Sequence, residues 1–300
     1  MTAIEAANDD AFKPAPVRRL TLNAGAVRMT RAHESTKNDE LWLGSAYDDN
    51  GEDLQVVLRL CGAMPTAAEL VCAVVGRALG LPVPEPFLVV TEPDSFPGSR
   101  FARPSPALRF ASQNVGGDTF QQLLNARSDY AQQLLARWKH FLPVAVFDEW
   151  MANPDRNLGN ILYVAGTLYL IDHAEAFGSA ERRLFRLADL TRQRFANILG
   201  DILVKVSTPR QKASRLDDAK RWIHDHAGSL PLADALEAAG LVHVLNDETR
   251  DELLDFVRSR LDLTHSLLCH RFGIPQLSLH AARQDRASLE NERSSSSPPA

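Results

Sequence analysis

Four side chains between Asn153 and Asp172 have the types to do chemistry together: Asp155, Arg156, Asn160 and Asp172. Whether they meet depends on the residues between them. Ile161 to Val164 is an apolar run, Ala165-Gly166-Thr167 is a break, and Leu168 to Ile171 is a second run. Two such runs around a Gly-containing break predict a β-hairpin. If Val164 faces Leu168, then Ile161 faces Ile171 and Asn160 faces Asp172, with opposed Cβ atoms roughly 5 Å apart. Asp155 lies five residues before Asn160, on the loop that feeds the same open end. An amide oxygen and two carboxylates suit a hard cation such as Mg²⁺, which takes one or two protein carboxylates plus substrate phosphates. Taken singly, each residue has a simpler role: Asn-Pro-Asp is a turn signal, Asp155 can make an Asx turn, and Asp172 can end a strand. The set in this spacing is what points to chemistry.

That set, Asp155-x4-Asn160 followed by a hairpin and Asp172, resembles the catalytic loop and metal-binding strand of the protein-kinase-like fold. The phrases NPDRNLGN and LIDHAEAFG are closer to HipA-like bacterial kinases and to phosphatidylinositol 3- and 4-kinases than to ordinary protein kinases, whose HRD and DFG triplets are absent. The phrase ALGLPVPEP at 78–86 adds to the resemblance. A small HipA-like kinase is the member of this group that the chain resembles best. The resemblance implies an α+β, two-lobed protein-kinase-like fold, with a small β-rich N-lobe and a larger, mainly helical C-lobe. It implies ATP and Mg²⁺ as cofactors. Asp155 would orient the acceptor hydroxyl and take its proton, and Arg156 would offset the charge of the transferred phosphate. Asn160 and Asp172 would hold the metal. Arg59, Glu69, Gln113 and Asn157 would form the nucleotide-binding set, with Asn153 and Asn157 also shaping the loop.

The elements that must position these groups can be read in outline. Residues 1–16 are polar and are expected to be a disordered lead. Strands are expected within Arg18 to Arg28, a polar loop over 32–40, and a strand over Leu41 to Tyr47. Asn50-Gly51 signals a hairpin into a partner strand, Leu54 to Leu60. In a kinase-like N-lobe this second strand carries a phosphate-holding lysine; here LQVVLRL offers Arg59. Arginine keeps the charge but presents a planar fork rather than a point charge, and it could equally lie on a wet edge face. Thr66-Ala67-Ala68-Glu69 fits a capping box, so a helix is expected from there to Gly80 as its C′ residue. Glu69 would then serve both as a cap and as the acidic partner of Arg59. Strands are expected at Phe87 to Thr91 and Ala107 to Ser112. Gln113 to Gly117 would be the interlobe hinge whose backbone meets the adenine.

The C-lobe opens with a short helix at Asp118 to Leu124, and Ser128 caps a longer one. Leu134, Trp138, Phe141, Leu142 and Ala145 keep helical spacing, and Pro143 should kink or split the helix. Further helices are expected over Leu184 to Leu203, Pro209 to His226, Pro231 to Ala239 and Asn246 to His270, the last stopped by Gly273 and Pro275. Arg182, Arg183 and Arg186 form a small basic cluster, read first as a solvated face. The tail over 276–300, ending SSSSPPA, is expected to be disordered. The domain reading is therefore a lead at 1–16, an N-lobe at 17–115, a C-lobe at 116–275 and a tail at 276–300.

Composition bounds the alternatives. Net charge is −5 and the sequence pI about 6.0, so there is no electrostatic case for nucleic acid or an anionic membrane. Cys61, Cys72 and Cys269 show no CxxC spacing and read as buried apolar residues of a reducing compartment. His224 and His226 read as surface residues, without metal spacing. No secretory signal and no apolar run of 18 residues is seen, so a cytoplasmic protein is expected. The expected function is ATP-dependent transfer of a γ-phosphate to a hydroxyl, a protein Ser or Thr or the chain itself. The expected partners are ATP and a protein substrate or regulator. The alternatives are a nucleotide-binding pseudokinase acting as a protein-binding module, or a small-molecule or lipid kinase. A helical interaction protein with an accidental match is a further reading.

Overall fold

The computed structural model describes residues 12–23, 28–29, 39–101, 103–178 and 186–274. The order of elements begins with β1 (Arg18–Leu22), β2 (Arg28–Met29), β3 (Glu40–Tyr47), β4 (Asp53–Leu60), α1 (Ala63–Ala78), β5 (Pro86–Thr91) and β6 (Ala107–Gln113). These strands form one sheet in the order β1-β5-β6-β4-β3-β2. β1 also pairs with β3, through Thr21 with Tyr47 and Leu22 with Ala46, so five strands close on themselves. Period-two alternation decides what fills the closed sheet. Leu20, Trp42, Val56, Leu58, Phe87, Val89 and Ala111 point inward and pack as one cluster. The intervening Leu88 and Phe110 point outward onto α1 and the larger core.

Helix α1 starts earlier than its sequence implies. Its N-cap is Gly62, and no side chain caps it. Thr66 lies inside the helix, with its hydroxyl 3.4 Å from the Cys61 sulfur. The capping role expected of Glu69 is therefore absent, and its carboxylate turns to the other partners described below. Gly80 does end the helix, with φ +70. The polar lead is also not wholly unstructured. Pro14 is buried, Phe12 meets the His226 ring edge-on at 5.5 Å, and the Val17 N–H donates to the Ala238 carbonyl at 2.8 Å.

Beyond the sheet come β7 (Asp118–Thr119), α2 (Phe120–Ala126), α3 (Ser128–Arg137), α4 (Phe141–Trp150), β8 (Ile161–Val164) and β9 (Thr167–Leu170). Strands β7, β8 and β9 form a second, three-stranded sheet. The expected helix around Pro143 is split at Trp138 to His140, so Pro143 falls in the first turn of α4, where a missing N–H costs little. The rest is helical: α5 (Leu187–Leu190), α6 (Ile198–Val206), α7 (Pro209–Asp225), α8 (Leu232–Ala238) and α9 (Asp247–Phe272). The single helix expected over Leu184 to Leu203 is not formed. The buried Arg260 guanidinium takes the carbonyls of Leu190, Thr191 and Gln193, and Asn197 caps a fresh start by accepting from Gly200 N–H at 2.9 Å.

The larger core is built around α4, whose residues Val144 to Trp150 are all buried. Trp150 donates its indole N–H to the Val257 carbonyl of α9 at 2.8 Å. All three cysteines are buried, and none is in a disulfide among the described residues. His224 is exposed, whereas His226 is half-buried and stacks on Trp222. Arg186 is exposed beside Asp189; Arg182, Arg183 and the 276–300 tail lie outside the described residues. Among the described residues no helix is long and apolar enough to cross a membrane.

Candidate active site

The hairpin forms, but in a register one residue away from the expected one. Val164 pairs with Thr167 and Ile161 with Leu170. The turn is the two residues Ala165 and Gly166, with φ +46 and +92, so Thr167 belongs to β9 rather than to a break. Positive φ at both turn residues is the geometry whose twist matches a two-residue hairpin. Asn160 consequently lies opposite Ile171, whose N–H donates to the Asn160 carbonyl at 3.1 Å. Asp172 is one residue past the pair. It takes φ +59, uncommon for a non-glycine residue, and lines the same cleft as Asn160.

The loop before the hairpin is held by its own side chains. Asn160 Nδ2 donates to the Asp155 carbonyl at 2.9 Å and to Asp155 Oδ2 at 3.2 Å. Asn157 accepts from Gly159 N–H at 2.8 Å and donates to the Asp155 carbonyl at 3.0 Å. Both polar ends of Asn157 are thus spent on the loop, which corrects its place in the nucleotide-binding set. Asn153 is buried, donates to Asp148 at 3.3 Å and accepts from Asp155 N–H at 3.4 Å. Partial burial, and then the charge of Asp172, push the Asp155 carboxyl above its ordinary value; the Asn160 amide pulls the other way.

Arg156 does not face the cleft. It is 2% exposed, donates Nε to Asp148 at 3.1 Å, and donates Nη1 to the carbonyls of Asn160 (3.0 Å) and Ile171 (2.7 Å). It therefore bolts the loop to the hairpin and to α4. This corrects the expectation that it meets a transferred phosphate. Asp148 and Glu149 are the residues that sequence reasoning passed over. Two acids inside the otherwise apolar FLPVAVFDEW are a signal for buried cationic partners, since buried charges are paired. Glu149 indeed receives Arg271 at 2.8 Å and Asn197 at 3.2 Å.

The sheet supplies the opposing wall. Arg59 projects from β4 and is nearly buried. Its Nη1 donates to Glu69 Oε1 of α1 at 2.7 Å and to Asp172 Oδ1 at 2.5 Å, and its Nη2 donates to Asp39. Burial opposes the charge of Arg59, but Asp172, Glu69 and Asp39 together raise its pKa well above the ordinary value. Glu69 Oε2 accepts the His173 backbone N–H at 3.0 Å. Burial opposes the Glu69 charge too; His173 and Arg59 overcome it and hold the carboxyl at about 2.

Between these walls lies a cleft of about 550 Å³. Its apolar side is formed by Leu41, Val57, Ala73, Phe110 and Leu162, and its polar end by Arg59, Glu69, Asn160 and Asp172. Gln113 to Gly117 runs along one edge; the Gln113 N–H donates to the Glu85 carbonyl at 2.8 Å. The donor chemistry fits a hard cation. Asn160 and Asp172 offer oxygens at one end of the cleft, few enough that substrate phosphates would complete the shell. Among the described residues, no group of three or more His, Cys, Asp or Glu side chains could hold a metal unaided.

The model of the HipA-like kinase family matches residues 50–240, well over half of the chain. The chain belongs to the HipA-like kinase family. The match spans Arg59, Glu69, Gln113 and the whole of Asp155 to Asp172. Among solved structures, a Helicobacter pylori proinflammatory kinase, CtkA, is similar at 13% identity, covering 76% of this chain and 94% of its own, with a TM-score of 0.43. No curated protein matches this HipA-like kinase significantly.

Proposed function

We propose that this HipA-like kinase transfers the γ-phosphoryl group of ATP, with Mg²⁺, to a hydroxyl, and that the acceptor is a Ser or Thr of a protein. The observation that carries the reading is the convergence of Arg59, Glu69, Asn160 and Asp172 on one cleft, with Asp155 hydrogen-bonded to Asn160. The order of parts supports a two-lobed kinase-like arrangement: cation strand, helix with acid, connecting segment, loop, hairpin. When bound, Mg·ATP supplies the transferable group and most of the charge neutralisation. Arg59 holds phosphate oxygens, oriented by Glu69. Asn160 and Asp172 hold the metal, and the 113–117 backbone meets the base. Asp155, held by the Asn160 amide, orients the acceptor hydroxyl and takes its proton. Arg156 keeps loop and hairpin in one geometry without touching substrate. A net charge of −5 favours a protein acceptor over an anionic lipid head group.

A second reading, a nucleotide-binding module without transfer, draws on one observation: Arg59 already satisfies three carboxylates. Calorimetric titration with Mg·ATP of the wild type and of Asp172→Ala, beside an assay of phosphate transfer, separates the two. Binding and transfer in the wild type, both lost in Asp172→Ala, are expected. Binding without transfer selects the module, and no binding in the wild type removes both.

A further inference from the structure

Arg59 departs from the lysine that a kinase-like N-lobe carries on this strand, and its surroundings show what the departure accompanies. Three carboxylates, Asp39, Glu69 and Asp172, surround the one guanidinium, which leaves two net negative charges. Its Nε has no hydrogen-bond partner among the described residues. A phosphate entering the cleft therefore meets a cation whose terminal nitrogens are already engaged. Glu69 is committed to the His173 N–H as well, and Asp172 faces the cleft. Asp39 differs from both. It does not line the cleft but lies beyond Arg59, just before β3, where the register sets Leu41 opposite Arg59 and Glu40 opposite Leu60. Arg100 anchors its backbone carbonyl at 3.2 Å. It also precedes residues 50–240, the span matched by the family.

We propose that Asp39 sets how strongly Arg59 holds phosphate, so that Asp39 and Arg59 act as one unit in place of the lysine. The inference rests on the reading of Arg59 as the phosphate-binding cation. The fork of an arginine can give Nη2 to a carboxylate on one side and Nη1 to groups on the other, whereas an ammonium is a single point. Asp39 thus orients the guanidinium and competes with phosphate for it. It is a positioning residue that tunes affinity, and it touches no substrate.

The test is calorimetric titration of wild type, Asp39→Asn, Arg59→Lys and the double variant, each with Mg·ATP and, separately, with adenosine. Asparagine keeps the shape and an acceptor for Nη2 but removes the competing charge. With that competing charge removed, Asp39→Asn is expected to bind Mg·ATP about tenfold more tightly, with adenosine unchanged. Arg59→Lys is expected to weaken Mg·ATP binding, and adding Asp39→Asn to recover it. A urea midpoint is measured for each, and Asp39→Ser replaces Asp39→Asn if the latter fails to fold. Equal or weaker Mg·ATP binding by Asp39→Asn, or an equal gain for adenosine, overturns the inference while leaving the kinase reading in place. Mg·ATP binding by Asp39→Asn alone supports it. No Mg·ATP binding by any of the four proteins removes the kinase reading and the inference together.

Discussion

Asp155 and Arg156 are neighbours in sequence with opposite duties. Asp155 is exposed, with one oxygen held by Asn160, while Arg156 is sealed beneath the loop against Asp148. Replacing Asp155 by Asn preserves the contact to Asn160 and removes only the base. General-base assistance contributes about 10²- to 10⁴-fold, so phosphoryl transfer should fall by that range while calorimetry shows Mg·ATP affinity little changed. Wild-type turnover in Asp155→Asn would disprove the assignment. Arg156→Ala should act in the opposite way. It leaves Asp148 charged and buried, and losing one partner of a buried pair costs about 3–5 kcal/mol. A urea midpoint close to that of wild type would show that the buried pair does not hold the loop. The different duties of the two residues were only half legible in the sequence. Type and spacing singled out Asp155, Asn160 and Asp172 as oxygen donors, and the fold hydrogen-bonds the first two and sets Asn160 and Asp172 on one cleft. They mistook Arg156, because nothing in NPDRN alone tells an inward from an outward arginine; the clue lay eight residues earlier, at Asp148 in an apolar helix.

At the level of elements, the hairpin and the segment before β7 depend on backbone shape as much as on side chains. The apolar runs announced the hairpin, but its register was not legible. Thr167 reads as a turn residue by type, and only the positive φ of Ala165 and Gly166 makes a two-residue turn. Helix α1 shows the same limit. Thr66-x-x-Glu69 has the form of a cap, yet burial of the 66–76 stretch carries the helix back to Ala63 and frees Glu69 for Arg59. Gly117 joins the two sheets at φ +87, and a Cβ there would sit 2.4 Å from the Tyr163 carbonyl oxygen. Gly117→Ala therefore has to push β8 away from β7 or strain the backbone, at about 1–3 kcal/mol. Because Asn160 immediately precedes β8 and residues 113–117 edge the cleft, the thermal midpoint and Mg·ATP affinity should fall together. A loss of stability with unaltered affinity would show that β8 and the cleft are mechanically separate.

Across the whole molecule, Glu69 is the knot. From α1 it reaches Arg59 on β4 and the His173 N–H after β9, so one carboxylate ties the closed sheet, its helix and the hairpin. Its pKa is held at about 2, against an ordinary value of 4.5. The sign of the linkage follows. A carboxyl whose folded pKa lies below its unfolded one contributes stability in full above the unfolded value, and loses it as pH falls through the folded one. Unfolding free energy should therefore decline between pH 4.5 and 2 more steeply in wild type than in Glu69→Gln. The amide of Glu69→Gln can still accept the His173 N–H, but it cannot titrate. The two proteins are compared by urea unfolding at several pH values across that window, where carboxylates remote from Arg59 titrate alike in both. The difference between the slopes then reports Glu69 together with Asp39 and Asp172, which share its guanidinium. Parallel curves would mean that the Glu69 charge contributes nothing to joining sheet and hairpin, and that Asp172 is held in the cleft by the left-handed turn and Arg59 without it.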